Sequence, residues 1–224
     1  EAKDRFNRLA LELCPKYRLR SEQADDPLEI AVRLAIAGNV IDLGVKSGLE
    51  EQEVLDAIET CLTDPLSGDV DTLAKAIAEA GSILYLTDNA GEIVFDRLLI
   101  EQLPLDRVVV AVKGGPVIND ATYADAEAAR LIELVRVIDN GSDAPGTILE
   151  DCSPAFQRLF AEADLVISKG QGNFETLSGS SRLIFFLLRV KCPVVARDTG
   201  CPVGRMLLTS SGHPVLACGT QRRR

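Results

Sequence analysis

Ile83-Leu84-Tyr85-Leu86-Thr87-Asp88-Asn89-Ala90-Gly91-Glu92 is a β-rich apolar run that stops abruptly at Asp-Asn and then Gly. Val94, Leu98 and Leu99 follow at helical spacing, so the stretch predicts a strand, a tight turn and a helix. In an open α/β sheet this places Asp88 and Asn89 outside the carboxyl end of a strand, where ligands bind. The adjoining helix start favours anions through its free N–H groups and its dipole. Two readings fit the pair at this point: oxygen ligands at the mouth of a sheet, or a helix cap, a position where Asp and Asn are common.

Toward the C-terminus the same grammar repeats. Short apolar runs at Ile83–Thr87, Arg107–Val112, Leu134–Ile138, Leu165–Ser168, Leu183–Val190 and Val194–Ala196 read as strands. Amphipathic segments at Glu92–Gln102, Ala121–Ile132 and Pro154–Ala163 read as the helices between the first four. Alternation of this kind predicts βαβ units and a three-layer α/β/α fold with a mainly parallel sheet.

Toward the N-terminus the pattern is helical. Phe6, Leu9, Ala10 and Leu13 predict a helix that Pro15 ends. Pro27 suits the first position of a second helix, whose face is Leu28, Ala31, Val32, Ala35 and Ile36. This helix runs into Gly38-Asn39-Val40-Ile41-Asp42, where Asn39 and Asp42 lie three apart and share a face, pointing into a cleft or forming a polar helix end. Two more helices, Glu51 to Leu62 and Asp71 to Ala80, are separated by Pro65 and Ser67-Gly68. The expected organisation is a small helical lobe at 1–80 and an α/β metal- and phosphate-binding domain at 81–224, joined in one compact unit.

Composition narrows the function classes. The 224 residues suffice for a sizeable α/β core. With 34 acidic against 24 basic residues, the formal net charge of -10 disfavours nucleic acid and anionic membranes as partners. Arg222 to Arg224 are the clustered exception, read as a frayed terminus. No apolar run approaches the ~20 residues of a membrane span, and no signal peptide is visible. Cys14, Cys61, Cys152, Cys192, Cys201 and Cys218 show no C-x-x-C spacing, and His213 is the sole histidine. A thiolate or imidazole zinc site is therefore not expected, and free thiols in a reducing cytoplasm are. The chain opens on Glu1 rather than Met, which suggests that its natural start is missing.

Neither the dinucleotide fingerprint nor the P-loop follows any predicted strand. Each strand end instead carries its own polar cluster. The second run ends in Lys113-Gly114-Gly115-Pro116 and leads to Asn119-Asp120, the third in Asp139-Asn140-Gly141-Ser142, and the fourth in Lys169-Gly170-Gln171-Gly172-Asn173. Such residues are ordinary in turns, but a parallel sheet gathers its carboxyl ends on one edge, so Asp88, Asn89, Asp120 and Lys169 are expected to converge. Carboxylates and an amide oxygen suit a hard divalent ion such as Mg²⁺ or Mn²⁺. A lysine beside such an ion suits a phosphate, and together they meet most of what phosphoryl transfer asks of a protein.

The ordered motifs Gly38-Asn39-Val40-Ile41-Asp42, Thr87 to Glu92, Gly115-Pro116 through Asn119-Asp120-Ala121-Thr122, and Lys169 to Glu175 resemble those of the damage-control phosphatases, formerly a domain-of-unknown-function family. The resemblance runs from about residue 28 to 205 and is nearest the compact prokaryotic branch. It implies a phosphatase dependent on Mg²⁺, Mn²⁺, Co²⁺ or Ni²⁺ that hydrolyses small phosphometabolites, such as sugar phosphates or damaged cofactor precursors. It implies that Asp88, Asn89 and Asp120 hold the metal, that Lys169 contacts the phosphate, and that these four carry the chemistry. Other polar residues are candidates for substrate binding: Asn39 and Asp42 at the end of the second helix, then Glu92, Lys113, Asn119, Asn173 and Glu175 around the strand ends. Attack by water and attack through an aspartyl phosphate on Asp88 both fit. Many members of the branch carry a Cys-x-x-Cys near the start, which this sequence lacks. The alternatives are a non-catalytic phosphometabolite-binding protein and a carboxyl methyltransferase, the latter without the glycine-rich first turn that a methyl donor's nucleotide usually needs.

Overall fold

A computed structural model describes residues 2–47 and 51–211, apart from the side chains of residues 2, 39–47 and 51. His213, Cys218 and the basic tail Arg222 to Arg224 lie outside the described residues. The described strands form one sheet: β1 (Leu66–Ser67), β2 (Ile83–Leu86), β3 (Val108–Val112), β4 (Arg136–Asp139), β5 (Leu165–Lys169), β6 (Ile184–Arg189) and β7 (Met206–Ser210). Their order is β1-β7-β6-β5-β2-β3-β4, and every neighbouring pair is parallel except β6 with β7. From β2 the chain steps outward to β3 and β4, then returns to the other side of β2 as β5. The reversal opens a crevice between the carboxyl ends of β2 and β5, the place where doubly wound sheets bind ligands.

Period two along each strand sends side chains to both faces, and both are covered. Ile83 and Tyr85 of β2 join Ile167 and Leu187 in one apolar cluster with Tyr17, Ile36, Ile58, Leu73 and Phe95. These come from α1 (Ala2–Glu22), α2 (Pro27–Ser47), α3 (Glu51–Thr63), α4 (Val70–Glu79) and α5 (Glu92–Ile100). Leu84, Leu86, Val166 and Phe186 face the other way, onto Phe156 and Phe160 of α7 (Pro154–Glu162), Leu177 of α8 (Gln171–Leu177) and Val195 of α9 (Pro193–Thr199). Burial on both sides explains why β2, β5 and β6 read as unbroken apolar runs rather than alternating ones. The fold is thus α/β with a mainly parallel sheet and an N-terminal helical part. That part shares the sheet's core, and its β1 pairs with β7.

Three expectations need correction. Pro15 does not end the first helix: α1 continues to Glu22. Phe6, Ala10, Leu13, Cys14 and Tyr17 form a buried stripe that runs on past the proline, while Pro15 itself is exposed, so its lost backbone bond is solvated and packing outweighs it. Val194–Ala196 is not a strand but the start of α9, with Pro193 in its first turn and the Cys192 sulfur accepting from the Val195 N–H at 3.5 Å. Short β-branched runs do not distinguish strand from helix by themselves. The place beside β6 belongs instead to β7, which pairs antiparallel with β6, Leu208 opposite Leu187, and parallel with the edge strand β1. The helix expected at Ala121–Ile132 is only α6 (Tyr123–Ala128), because Arg130 adopts a left-handed conformation at φ 56° and turns the chain toward β4.

Candidate functional site

Two loops build the site by pairing with each other. The Ala121 N–H donates to the Asp88 carbonyl at 2.8 Å and the Ala90 N–H to the Asn119 carbonyl at 2.9 Å, so that Asn89 and Asp120 form an antiparallel bridge. Asn119 donates from its amide to Asn89 Oδ1 at 2.6 Å, and Asn89 donates to Asp88 Oδ2 at 2.7 Å and to Glu92 Oε2 at 3.0 Å. Asp88, Asn89, Asn119, Asp120 and Glu92 are therefore brought together, and of these Asp88 is the most accessible. Gly170, at the end of β5, closes the crevice from the other side. Its φ is +82°, and a Cβ there would lie 2.1 Å from Asp88 Oδ2, so only glycine admits the carboxylate.

The electrostatics are those of crowded acids. Burial, then the charge of Glu92, holds the Asp88 carboxyl well above the ordinary carboxylate range, against the opposing Lys191, with Asp120 adding to the rise. Burial likewise raises Asp120, although Lys113 opposes it with its ammonium 3.4 Å from Asp120 Oδ2. Among the described residues no group of three or more His, Cys, Asp and Glu is arranged to hold a metal ion.

Both lysines of the strand ends are buried. Lys169 ends β5 fully buried, donating to Glu92 Oε1 at 2.7 Å, Asp96 Oδ1 at 2.6 Å and the Ala35 carbonyl of α2 at 2.7 Å. Its three protons are committed to protein acceptors. Lys113 is also buried and donates to the carbonyls of Ala144, at 2.9 Å, and Gly146. Burial alone would lower the pKa of Lys169, but Asp96 and then Glu92 outweigh it and hold the ammonium charged. Burial pushes Asp96 up to about 6 in spite of Lys169. Tyr85 donates its hydroxyl to Asp96 Oδ1 at 2.9 Å, and Asp96 Oδ2 is buried with no hydrogen-bond partner among the described residues.

A profile of the damage-control phosphatase ARMT1-like domain matches residues 1–207. The chain belongs to that family. Its relatives include a damage-control phosphatase of Pyrococcus horikoshii, 45% identical over 80% of this chain and 63% of that protein. Another, from Archaeoglobus fulgidus, is 37% identical over 92% of this chain and 73% of its own length. An uncharacterized protein of Methanocaldococcus jannaschii is 41% identical over 92% and 71%. The crystal structure of a DUF89 family protein from Pyrococcus horikoshii superposes with a TM-score of 0.79 at 40% identity, covering 92% of this chain and 74% of that one. The chain thus spans between 63% and 74% of the length of these relatives.

The remaining candidates within the family's span divide. Asn173 is buried and ties the site's frame together, donating to the carbonyls of Thr87 at 3.0 Å and Lys169 at 2.8 Å and accepting from Thr147 at 2.7 Å. Glu175 is exposed on α8 and accepts from Gln171 at 2.8 Å. Asn39 and Asp42 fall in α2, but their side chains lie outside the described residues. Sequence reasoning missed Asp96, although its spacing of four from Glu92 on one helix face was a readable signal. It also missed Asn7, Lys3 and Asp125, which no local pattern connects to the site.

Proposed function

We propose that this protein is a metal-dependent phosphatase acting on small phosphorylated metabolites. The family match and the names of the relatives support a phosphatase role. The observation that carries the metal reading is the paired 88–90 and 119–121 loops at the β2–β5 crevice, which bring two carboxylates and an amide into one acidic cluster. The donor set fits a hard divalent ion: all its atoms are oxygens, and Glu92 and Asp120 both raise the Asp88 carboxyl, a crowding that a divalent charge would relieve. Asp88, Asn89 and Asp120 would hold Mg²⁺, Mn²⁺, Co²⁺ or Ni²⁺, which would polarise a phosphoryl oxygen and acidify an attacking water.

The chain's own residues set the stage for that chemistry. Glu92 links two parts of the site, receiving Lys169 on one oxygen and the Asn89 amide on the other. Lys169 thereby orients Asn89 through Glu92, while its charge offsets the acids around Asp88. Sugar phosphates and damaged cofactor-precursor phosphates are the substrate classes proposed, in the cytoplasm, where the free thiols of Cys14, Cys61, Cys152, Cys192 and Cys201 are at home. The test is release of phosphate from p-nitrophenyl phosphate and a panel of sugar and cofactor phosphates, with each metal and with chelator. Hydrolysis should require metal, and Asp120→Asn should abolish it. Hydrolysis indifferent to chelator would remove the metal from the reading, and binding of the panel without any turnover would make the protein a phosphometabolite binder instead.

A further inference from the structure

The pairing of the 88–90 and 119–121 segments rests on two backbone hydrogen bonds and the Asn119–Asn89 amide contact. A two-segment ribbon of that size is marginal alone. The Lys113 N–H, donating to the Ala121 carbonyl at 2.9 Å, ties the second segment to β3, and a helix from the N-terminal end of the sequence lies across both loops. Asn7 of α1 is 6% exposed and faces the loops from above. Its Oδ1 accepts from the Gly91 N–H at 2.7 Å, in the loop that carries Asp88 and Asn89. Its Nδ2 donates to Asp125 Oδ1 at 2.8 Å, in the segment that carries Asp120. The other oxygen of Asp125 accepts from the Thr122 N–H and hydroxyl, both at 2.8 Å, so the bond from Asn7 reaches a carboxylate already fixed to the second loop.

Two neighbours on α1 seat the helix there. Lys3, one turn earlier, donates to the Asp120 carbonyl and lies 3.2 Å from Asp125 Oδ2. Phe6 packs directly on Gly91, where φ is +77° and a Cβ would lie 2.9 Å from the Phe6 Cβ.

We propose that Asn7 is a positioning residue for the divalent-cation site: its amide is the clasp that sets the Asp88–Asn89 loop against the Asp120 loop. This inference rests on the reading of Asp88, Asn89 and Asp120 as metal ligands. It assigns the first helix a part in ion binding although Asn7 contributes no ligand. Residues that orient metal ligands typically change affinity by 10- to 100-fold when altered.

The experiment is calorimetric titration of Mn²⁺ into the metal-free whole chain, at a temperature where circular dichroism shows every variant folded. Asn7→Asp keeps the acceptor for Gly91 but removes the donor and sets two carboxylates against each other, so its Mn²⁺ affinity should fall roughly 10-fold or more. The double variant Asn7→Asp/Asp125→Asn reverses donor and acceptor across the same bridge and should return to within about threefold of wild type, because the loops are again clasped by one hydrogen bond. Asn7→Ala should weaken binding in the same way, and Asp125→Asn should not rescue it. Wild-type affinity in both Asn7→Asp and Asn7→Ala would overturn the clasp and leave the metal site standing. Weakening with no recovery in the double variant would also overturn it, since the bridge itself would then not be the cause. A wild-type protein that takes up no Mn²⁺ would overturn the metal reading and the clasp with it.

Discussion

Lys169 carries a full charge into a fully buried position, and its surroundings make that tolerable. Glu92 and Asp96 lie one helical turn apart on α5, and the Ala35 carbonyl of α2 completes the set of acceptors. Removing one partner from such a group leaves the others buried and unpaired, which typically costs 3–5 kcal/mol. Lys169→Met should therefore lower the unfolding free energy by about that much in urea titrations. A lysine that only contacted phosphate would give a different result, with turnover lost and stability kept. Motif position marked the residue as important, but its role depends on which acceptors the fold brings within reach.

At the scale of elements, α1 shows packing overriding a local rule. A proline inside a helix costs roughly 3 kcal/mol through its missing N–H and its ring. The stripe that continues past Pro15 includes Tyr17, fully buried with its ring centroid 5.8 Å from that of Phe95 on α5. Because Pro15 is exposed, Pro15→Ala should restore the backbone bond without disturbing the core, raising stability by about 1–3 kcal/mol after allowing for the looser unfolded chain. A shift of the urea midpoint to higher concentration would show it, and a shift to lower concentration would mean that the helix is broken there. The same contest explains α9, where Val194-Val195 favours a strand locally while Pro193 and the Cys192 cap favour a helix start. The flank of β6 away from β5 is already taken by β7, so nothing draws α9 into extended pairing there.

On the proposed metal reading, the whole molecule couples its stability to its site, because the paired 88–90 and 119–121 loops belong to both. A ligand that binds only the folded state stabilises it by about 2.7 kcal/mol at a concentration 100 times its dissociation constant. Millimolar Mn²⁺ should accordingly raise the melting temperature, and chelator should reverse the rise. The pH dependence follows from the acids. Asp88 and Asp120 are both held above the ordinary carboxylate range, so they take up protons earlier than free carboxyls as pH falls, and protons would then compete with the proposed metal. The Mn²⁺-induced rise should be larger at pH 8 than at pH 5, as thermal melts with and without chelator would read. An equal rise at both values would place the ion away from these two carboxylates.

The sequence alone determined that the C-terminal part alternates strands with helices, that its sheet is mainly parallel, and that polar clusters follow successive strands. These are properties of periodicity and turn chemistry, which act over a few residues at a time. Parallel pairing then brought Asp88, Asn89 and Asp120 to one edge, as the strand ends implied. Only the tertiary structure decided the rest. Lys169 turned inward because two carboxylates on the neighbouring helix compensate its desolvation, and Asn7 came to span two loops because α1 packs across them. Neither outcome is written in local pattern: each depends on which groups long-range packing places within hydrogen-bonding distance, away from the water that would otherwise satisfy them.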